Sequence, residues 1–129
     1  MKVLIDTHSL IWFVDQDHML TRVAHAAISD PNNELLVSAG SVWEIAIKVA
    51  KGKLPLSLPF RSWIDKATAD LGFEVLPITV DHAERQTTLP AHHGDPFDRL
   101  LAAQALVEGI PLVSCDTIFD AYGVNRIWD

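Results

Sequence analysis

Four carboxylates, Asp6, Glu44, Asp98 and Asp116, each fall where a regular element begins or ends, and carboxylates gathered at such junctions can hold a hard divalent cation. Asp6 closes the apolar run Val3-Leu4-Ile5, and Asp116 closes Leu112-Val113-Ser114-Cys115. Glu44 follows Leu35-Leu36-Val37-Ser38 within a few residues, while Asp98 lies in the first turn of a helix opened by Asp95-Pro96. Two like charges about 4 Å apart repel by about 4 kcal/mol at an effective dielectric of about 20, so such a cluster requires protons or cations. Oxygen-only ligation favours Mg²⁺, with Mn²⁺ possible, over zinc. Each acid also has a purely structural account: Glu44 as the third residue of a Ser41 capping box, Asp116 as a turn residue before Thr117, Asp95 and Asp98 as acids at a helix start. One carboxylate satisfies the cap, and Asp95 is assigned to it, which leaves Asp98 spare. Convergence of four acids at one sheet edge is what selects the metal-site reading over the separate accounts.

The elements that must position these acids are legible in the apolar pattern. Lys2 to Ile5 and Glu34 to Ser38 read as short strands buried on both faces, Phe73 to Leu76 as a third, Pro111 to Cys115 as a fourth and Val124 to Trp128 as a short last one. Between them the spacing predicts helices over Thr7 to Val14, Thr21 to Ser29, Ser41 to Lys51, Pro59 to Leu71, Val80 to Thr88 and Pro96 to Glu108. The last is closed by Gly109 and Pro111 and buries Phe97, Leu100, Leu101, Gln104 and Val107 on one face. Strands alternating with helices imply an α/β fold with a central parallel sheet of four to five strands and helices on both faces. In such a sheet the functional crevice lies beyond the carboxyl ends of the strands, where Asp6 and Asp116 fall.

Length bounds the chain to one domain over residues 1–129, and an apolar content of 49% is enough for a sizeable core. Met1-Lys2 leads straight into Val3-Leu4-Ile5 and no run approaches the roughly eighteen apolar residues of a membrane span, so neither a signal peptide nor an anchor is expected and the cytoplasm is the expected location. Cys115 is the only cysteine; it excludes an intrachain disulfide and a cysteine-based zinc site, and its apolar run predicts a buried, inert thiol. A net charge of −7 argues against a nonspecific coat on DNA but says little about a site where a bound cation reverses the local sign.

Taken in order, Val-Leu-Ile-Asp6-Thr, Ser-Val-Trp-Glu44, Asp-Pro-Phe-Asp98-Arg-Leu-Leu-Ala-Ala-Gln-Ala and Leu-Val-Ser-Cys-Asp116 closely resemble the motifs of PIN-domain ribonucleases, specifically VapC-like toxins of toxin–antitoxin pairs. The resemblance runs from the first strand to the last. It implies a PIN-like three-layer fold and a Mg²⁺-dependent endoribonuclease whose acidic quartet is Asp6, Glu44, Asp98 and Asp116. It further implies that Ser114 supports the site by a hydrogen bond, that a cognate antitoxin protein silences the chain, and that the chain forms a homodimer. The family's usual asparagine soon after the first acid is absent, with His8 and Ser9 in that region.

Around this quartet, Lys48 and Arg99 are the candidate RNA-backbone contacts, with Lys51 and Lys53 close by; an ordinary solvated face is the alternative. His92 and His93 read as a solvated loop pair rather than phosphate contacts. The tryptophans can stack on bases but more often serve the core. Leu54 to Phe60, with Trp43 and Trp63 nearby, is more apolar than a solvated connector and is the expected seat of the antitoxin, against the alternative that it packs onto its own domain. Two other function classes stay open: a metal-dependent phosphohydrolase acting on a small phosphate ester, and a non-catalytic interaction module whose acids are caps. The phosphohydrolase pattern wants a second aspartate two residues after the first, where His8 stands.

Overall fold

The computed structural model describes residues 1–16, 18–91 and 94–129, so the reading of His92 and His93 lies outside the described residues. In chain order the elements are β1 (Lys2–Ile5), α1 (Thr7–Val14), α2 (Arg22–Ser29), β2 (Glu34–Ser38), α3 (Ala39–Ala50), α4 (Phe60–Leu71), β3 (Glu74–Leu76), α5 (Val80–Thr87), α6 (Pro96–Glu108), β4 (Leu112–Val113), α7 (Ile118–Ala121) and β5 (Arg126–Ile127). The five strands form one sheet in the order β3-β2-β1-β4-β5, and every pair is parallel. The chain therefore starts at the middle strand, winds out to β3, and returns to build β4 and β5 on the other side. That reversal between β1 and β4 is the point at which open α/β sheets form a crevice.

Burial on both faces follows from the alternation of side chains along β1. Val3 and Ile5 face a core shared with Leu10, Ile45 and Trp63, whereas Leu4 faces a second core with Leu101, Leu112 and Phe119. The result is the three-layer α/β arrangement anticipated from the sequence, with α1 to α4 supplying one layer and α6 and α7 the other. No helix among the described residues is long and apolar enough to cross a membrane.

Three local details differ from the sequence expectation. The helix carrying Glu44 starts at Ala39, not Ser41, because Ser38 at the end of β2 accepts the Gly40 N–H at 3.0 Å and caps it directly. Glu44 therefore lies in the second turn and is not the partner of a Ser41 capping box. Gly40 sits where α3 meets α6: a Cβ there would come within 2.4 Å of a methyl of Leu100, so the small residue lets the two acid-bearing helices approach. The third is α7, a single turn that the sequence reading left as a turn after Asp116.

The connector before α4 largely packs onto its own domain. Leu54, Leu56 and Phe60 are half-buried against the first core and Trp63 is fully buried, while Pro55, Ser57, Leu58 and Pro59 are exposed. Asp15, just past α1, fixes this stretch by accepting the Trp63 indole N–H at 2.9 Å and the Ser57 hydroxyl at 2.6 Å. Of the apolar groups expected on a docking surface there, Trp63 is interior and Leu54, Leu56 and Phe60 are half-buried, which leaves Leu58 and, on α3, the 65% exposed Trp43. Removing this acceptor leaves the indole N–H of buried Trp63 unsatisfied and releases exposed Ser57 to water, so Asp15→Ala is expected to cost about 1–3 kcal/mol. Thermal melting together with faster proteolytic cleavage between residues 54 and 60 checks this, and an unchanged melt would contradict the anchoring role.

Candidate active site

Asp6, Glu44, Asp98 and Asp116 line one cleft of about 450 Å³ at the carboxyl edge of the sheet, together with Asp95, Lys48, Thr7, His8 and Trp12. Asp6 leaves β1 and caps α1 in the same step, its carboxylate accepting the Ser9 N–H at 2.8 Å. Its carboxylate is also hydrogen-bonded by the Ser114 hydroxyl. That hydroxyl in turn accepts the Asp116 N–H at 3.0 Å, so one side chain links the ends of the two strands that flank the sheet's reversal point. The Ser9 hydroxyl favours the charged form of Asp6 but makes no full hydrogen bond.

Glu44 is only 6% exposed and is gripped from two sides. Thr7 donates its hydroxyl to Oε1 at 2.7 Å, and the Lys48 ammonium, one helical turn on, stands 2.8 Å from Oε2. Asp95 is the cap of α6 expected from the sequence, accepting the N–H groups of Phe97 at 2.8 Å and Asp98 at 3.3 Å. The cap fixes where α6 begins, and with it the position of half-buried Asp98 in the first turn. Asp116 is exposed and accepts the Ile118 N–H at 3.0 Å, which starts α7. Arg126 steadies the same loop by donating to the Ser114 carbonyl at 3.2 Å while pairing with Asp120 at 3.0 Å.

Two expected residues are found elsewhere or in another state. Arg99 does not line the cleft: its guanidinium donates to the carbonyls of Pro90 at 2.9 Å and Gln86 at 3.0 Å, closing the loop ahead of α6. These bonds, with a third to the Leu89 carbonyl at 3.4 Å, tie α6 to the end of α5 and hold the guanidinium away from the cleft. Cys115 is exposed at the cleft instead of buried, because β4 ends at Val113 and the chain opens outward. Partial burial, and then the charges of Asp6 and Asp116, push its thiol pKa up, so it stays protonated and poorly nucleophilic. His8 and Thr7 were passed over in the sequence; their adjacency to Asp6 at a strand-to-helix junction was the available signal.

Among the described residues, no three His, Cys, Asp or Glu side chains stand close enough to grip an ion as they are oriented. Glu44 is paired with Lys48, and Asp6 and Asp116 are partly engaged by backbone N–H groups. The acids thus share a cleft without being drawn around a common point. What burial does show is the cost of charge at Asp6: desolvation raises its pKa above the ordinary carboxylate value, only partly offset by Ser114, Ser9 and His8. A raised folded pKa contributes stability that is complete below the unfolded value and is lost as pH rises through the folded one. Asp6→Asn is therefore expected to raise the melting temperature in metal-free buffer at neutral pH, with the gain shrinking as the pH falls towards the ordinary carboxylate range. Melting of both proteins in EDTA across pH measures this; a gain that grows on acidification would overturn it.

The chain matches the PIN domain model over residues 3–125. It is 32% identical over 115 residues to Ribonuclease VapC22 of Mycobacterium tuberculosis (strain ATCC 25618 / H37Rv), covering 88% of this chain and 86% of that protein. The fold is similar to a chain of the VapBC2 structure from Rickettsia felis bound to a promoter DNA fragment, with a TM-score of 0.74 at 16% identity over 100% of both chains. It is likewise similar to a chain of a toxin-antitoxin complex from Klebsiella pneumoniae, with a TM-score of 0.65 at 20% identity, covering 96% of this chain and 94% of that one. With an acidic cleft at the reversal point of a parallel sheet and a family match running from the first strand nearly to the last, the chain belongs to the PIN-domain family.

Proposed function

We propose that this chain is a Mg²⁺-dependent endoribonuclease, the toxin of a toxin–antitoxin pair acting in the cytoplasm, and that Asp6, Glu44, Asp98 and Asp116 hold the cation. The observation that carries the reading is that acids from four separate segments line one cleft. The ribonuclease relative supports the substrate class. The donors suit a hard cation, since the quartet offers oxygen alone and Asp6 is a buried carboxylate whose charge needs compensation. Mn²⁺ is the alternative ion. When bound, such an ion lowers the pKa of water and neutralises charge on a phosphodiester.

The chain's own residues supply the positioning. Ser114 and the Ser9 N–H hold Asp6 in one rotamer, and Thr7 does the same for Glu44. Asp95 fixes the helix start that presents Asp98. Lys48, paired with Glu44 at 2.8 Å and lining the same cleft, would supply a positive charge to a phosphate oxygen of the RNA backbone. Hydrolysis of the P–O3′ bond would leave a 3′-hydroxyl and a 5′-phosphate. Purified protein is expected to cleave RNA only with Mg²⁺ or Mn²⁺ and to leave p-nitrophenyl phosphate intact; the opposite preference would favour a small-ester phosphohydrolase. Asp6→Asn should abolish cleavage, Ser114→Ala should lower it roughly 10- to 100-fold as the loss of a group orienting a ligand does, and Asp95→Asn should be mild because asparagine caps equally well. Full activity in folded Asp6→Asn protein would sink the assignment.

The same reading supplies partners: a small antitoxin protein and, by the default symmetry of such chains, a second copy in a C2 homodimer. Structures similar in fold are described as VapBC complexes, which supports the antitoxin. Exposed Trp43, on the helix that carries Glu44, and Leu58 are the apolar groups a partner helix could cover. Co-purification with the product of the adjacent gene is expected, and Trp43→Asp should weaken that complex roughly tenfold or more, as loss of an aromatic anchor does. Unchanged affinity would remove Trp43 from the interface.

A further inference from the structure

Trp12 is half-buried on α1 and lines two cavities at once: the acidic cleft and a neighbouring one of about 660 Å³. The second cavity carries Arg22, His18 and His25 with Phe13, and no acidic residue among its described lining. Among its described lining Arg22 is the fixed positive charge, in a chain whose net charge is −7. Arg22 is exposed and pairs with no carboxylate among the described residues.

The aromatic groups at this junction form a row. His8, one helical turn before Trp12 and itself at the rim of the acidic cleft, has its ring 5.8 Å from the indole at an interplanar angle of 37°. On the other side Trp128 lies 5.9 Å away at 56°, and beyond Trp12 the Phe13 and His25 rings meet at 5.0 Å. Neither neighbour lies flat against Trp12, so offset parallel stacking on the indole is left for an outside partner. The backbone behind the row is tied down, since Thr21 caps α2 and donates its hydroxyl to the Trp128 carbonyl.

Resting on the ribonuclease reading, we propose that Trp12, flanked by His8 and Trp128, is a base-stacking platform that holds one unpaired nucleotide beside the acidic cleft, with Arg22 and His25 in the second cavity meeting the phosphate that follows. Aromatic faces recognise bases only where strands are unpaired, and a cation one nucleotide further on tracks the backbone. The proposal therefore predicts that an unpaired base, not a base pair, occupies the face of Trp12. It also assigns binding on this side of the cut to α1 and α2, separate from the acids.

The probe is a fluorescein-labelled single-stranded RNA of mixed sequence, alone or annealed to its complement, titrated with full-length protein in EDTA and read by anisotropy. The single strand is expected to bind in preference to the duplex. Trp12→Ala should weaken binding roughly tenfold while Trp12→Phe stays within about threefold, because a phenyl ring still stacks. Arg22→Ala should reduce the slope of log affinity against log salt by about one. With Mg²⁺ present, Trp12→Ala should raise KM more than it lowers kcat. A 2-aminopurine in the RNA should be quenched by the wild-type protein, which tests stacking even if Trp12→Ala does not fold. Cleavage by the wild type with no quenching, or folded Trp12→Ala with unchanged RNA affinity, overturns the platform alone, including the case in which that variant loses a protein partner instead. A wild type that neither binds nor cleaves RNA overturns the platform and the ribonuclease reading together.

Discussion

A carboxylate carried into the interior at the end of the central strand is the constraint around which this structure is arranged. Asp6 cannot shed its hydration without replacement donors, and an unpaired buried charge costs several kcal/mol. The replacements come from both directions along the chain: the first turn of α1 through the Ser9 N–H, and β4 through the Ser114 hydroxyl. Because Ser114 also accepts the Asp116 N–H, satisfying Asp6 fixes the path of the loop that presents Asp116. Local electrostatics and topology are thus the same arrangement seen at two scales. Desolvation remains the largest influence on Asp6 even so, and it holds the carboxyl pKa above its ordinary value.

The Lys48–Glu44 pair shows a related economy. With the lysine side chain 39% exposed, the pair contributes little to stability, and its interest lies in where the charge sits. It places the one ammonium of an acidic cleft against the carboxylate that Thr7 has already oriented. Cys115 experiences the opposite influence, since the neighbouring carboxylates oppose thiolate formation and keep an exposed sulfur unreactive.

What was legible in the sequence was whatever local pattern encodes. Continuous apolar runs ending in Asp6 and Asp116 marked buried parallel strands, and Asp95-Pro96 marked a helix start that the cap geometry bears out. Ser38 was obscured by Ser41, because both precede the helix and only the direct passage of β2 into α3 decides which hydroxyl caps. For Arg99 and for Leu54 to Phe60 the sequence leaves a structural and a binding role open, for a shared reason. The carbonyls that claim the arginine and the Asp15 acceptor that anchors the connector lie far enough along the chain that spacing gives no hint of them. Among the acids, Asp98 is the one whose place the sequence indicates least directly, since its approach to Glu44 depends on Gly40 admitting Leu100 between helices distant in sequence.

The position of β1 in the sheet has a consequence for the order of events during synthesis. The strand made first is the middle one, and it is flanked on one side by β2 and on the other by β4, whose Val113 pairs with Ile5 only after nearly all the intervening chain exists. Long-range parallel pairing of this kind is slow and comes late. Until residue 116 has emerged from the ribosome, Asp6 lacks Ser114 and the cleft lacks one wall. A growing chain or a C-terminally truncated fragment therefore carries most of the acids but no assembled cleft.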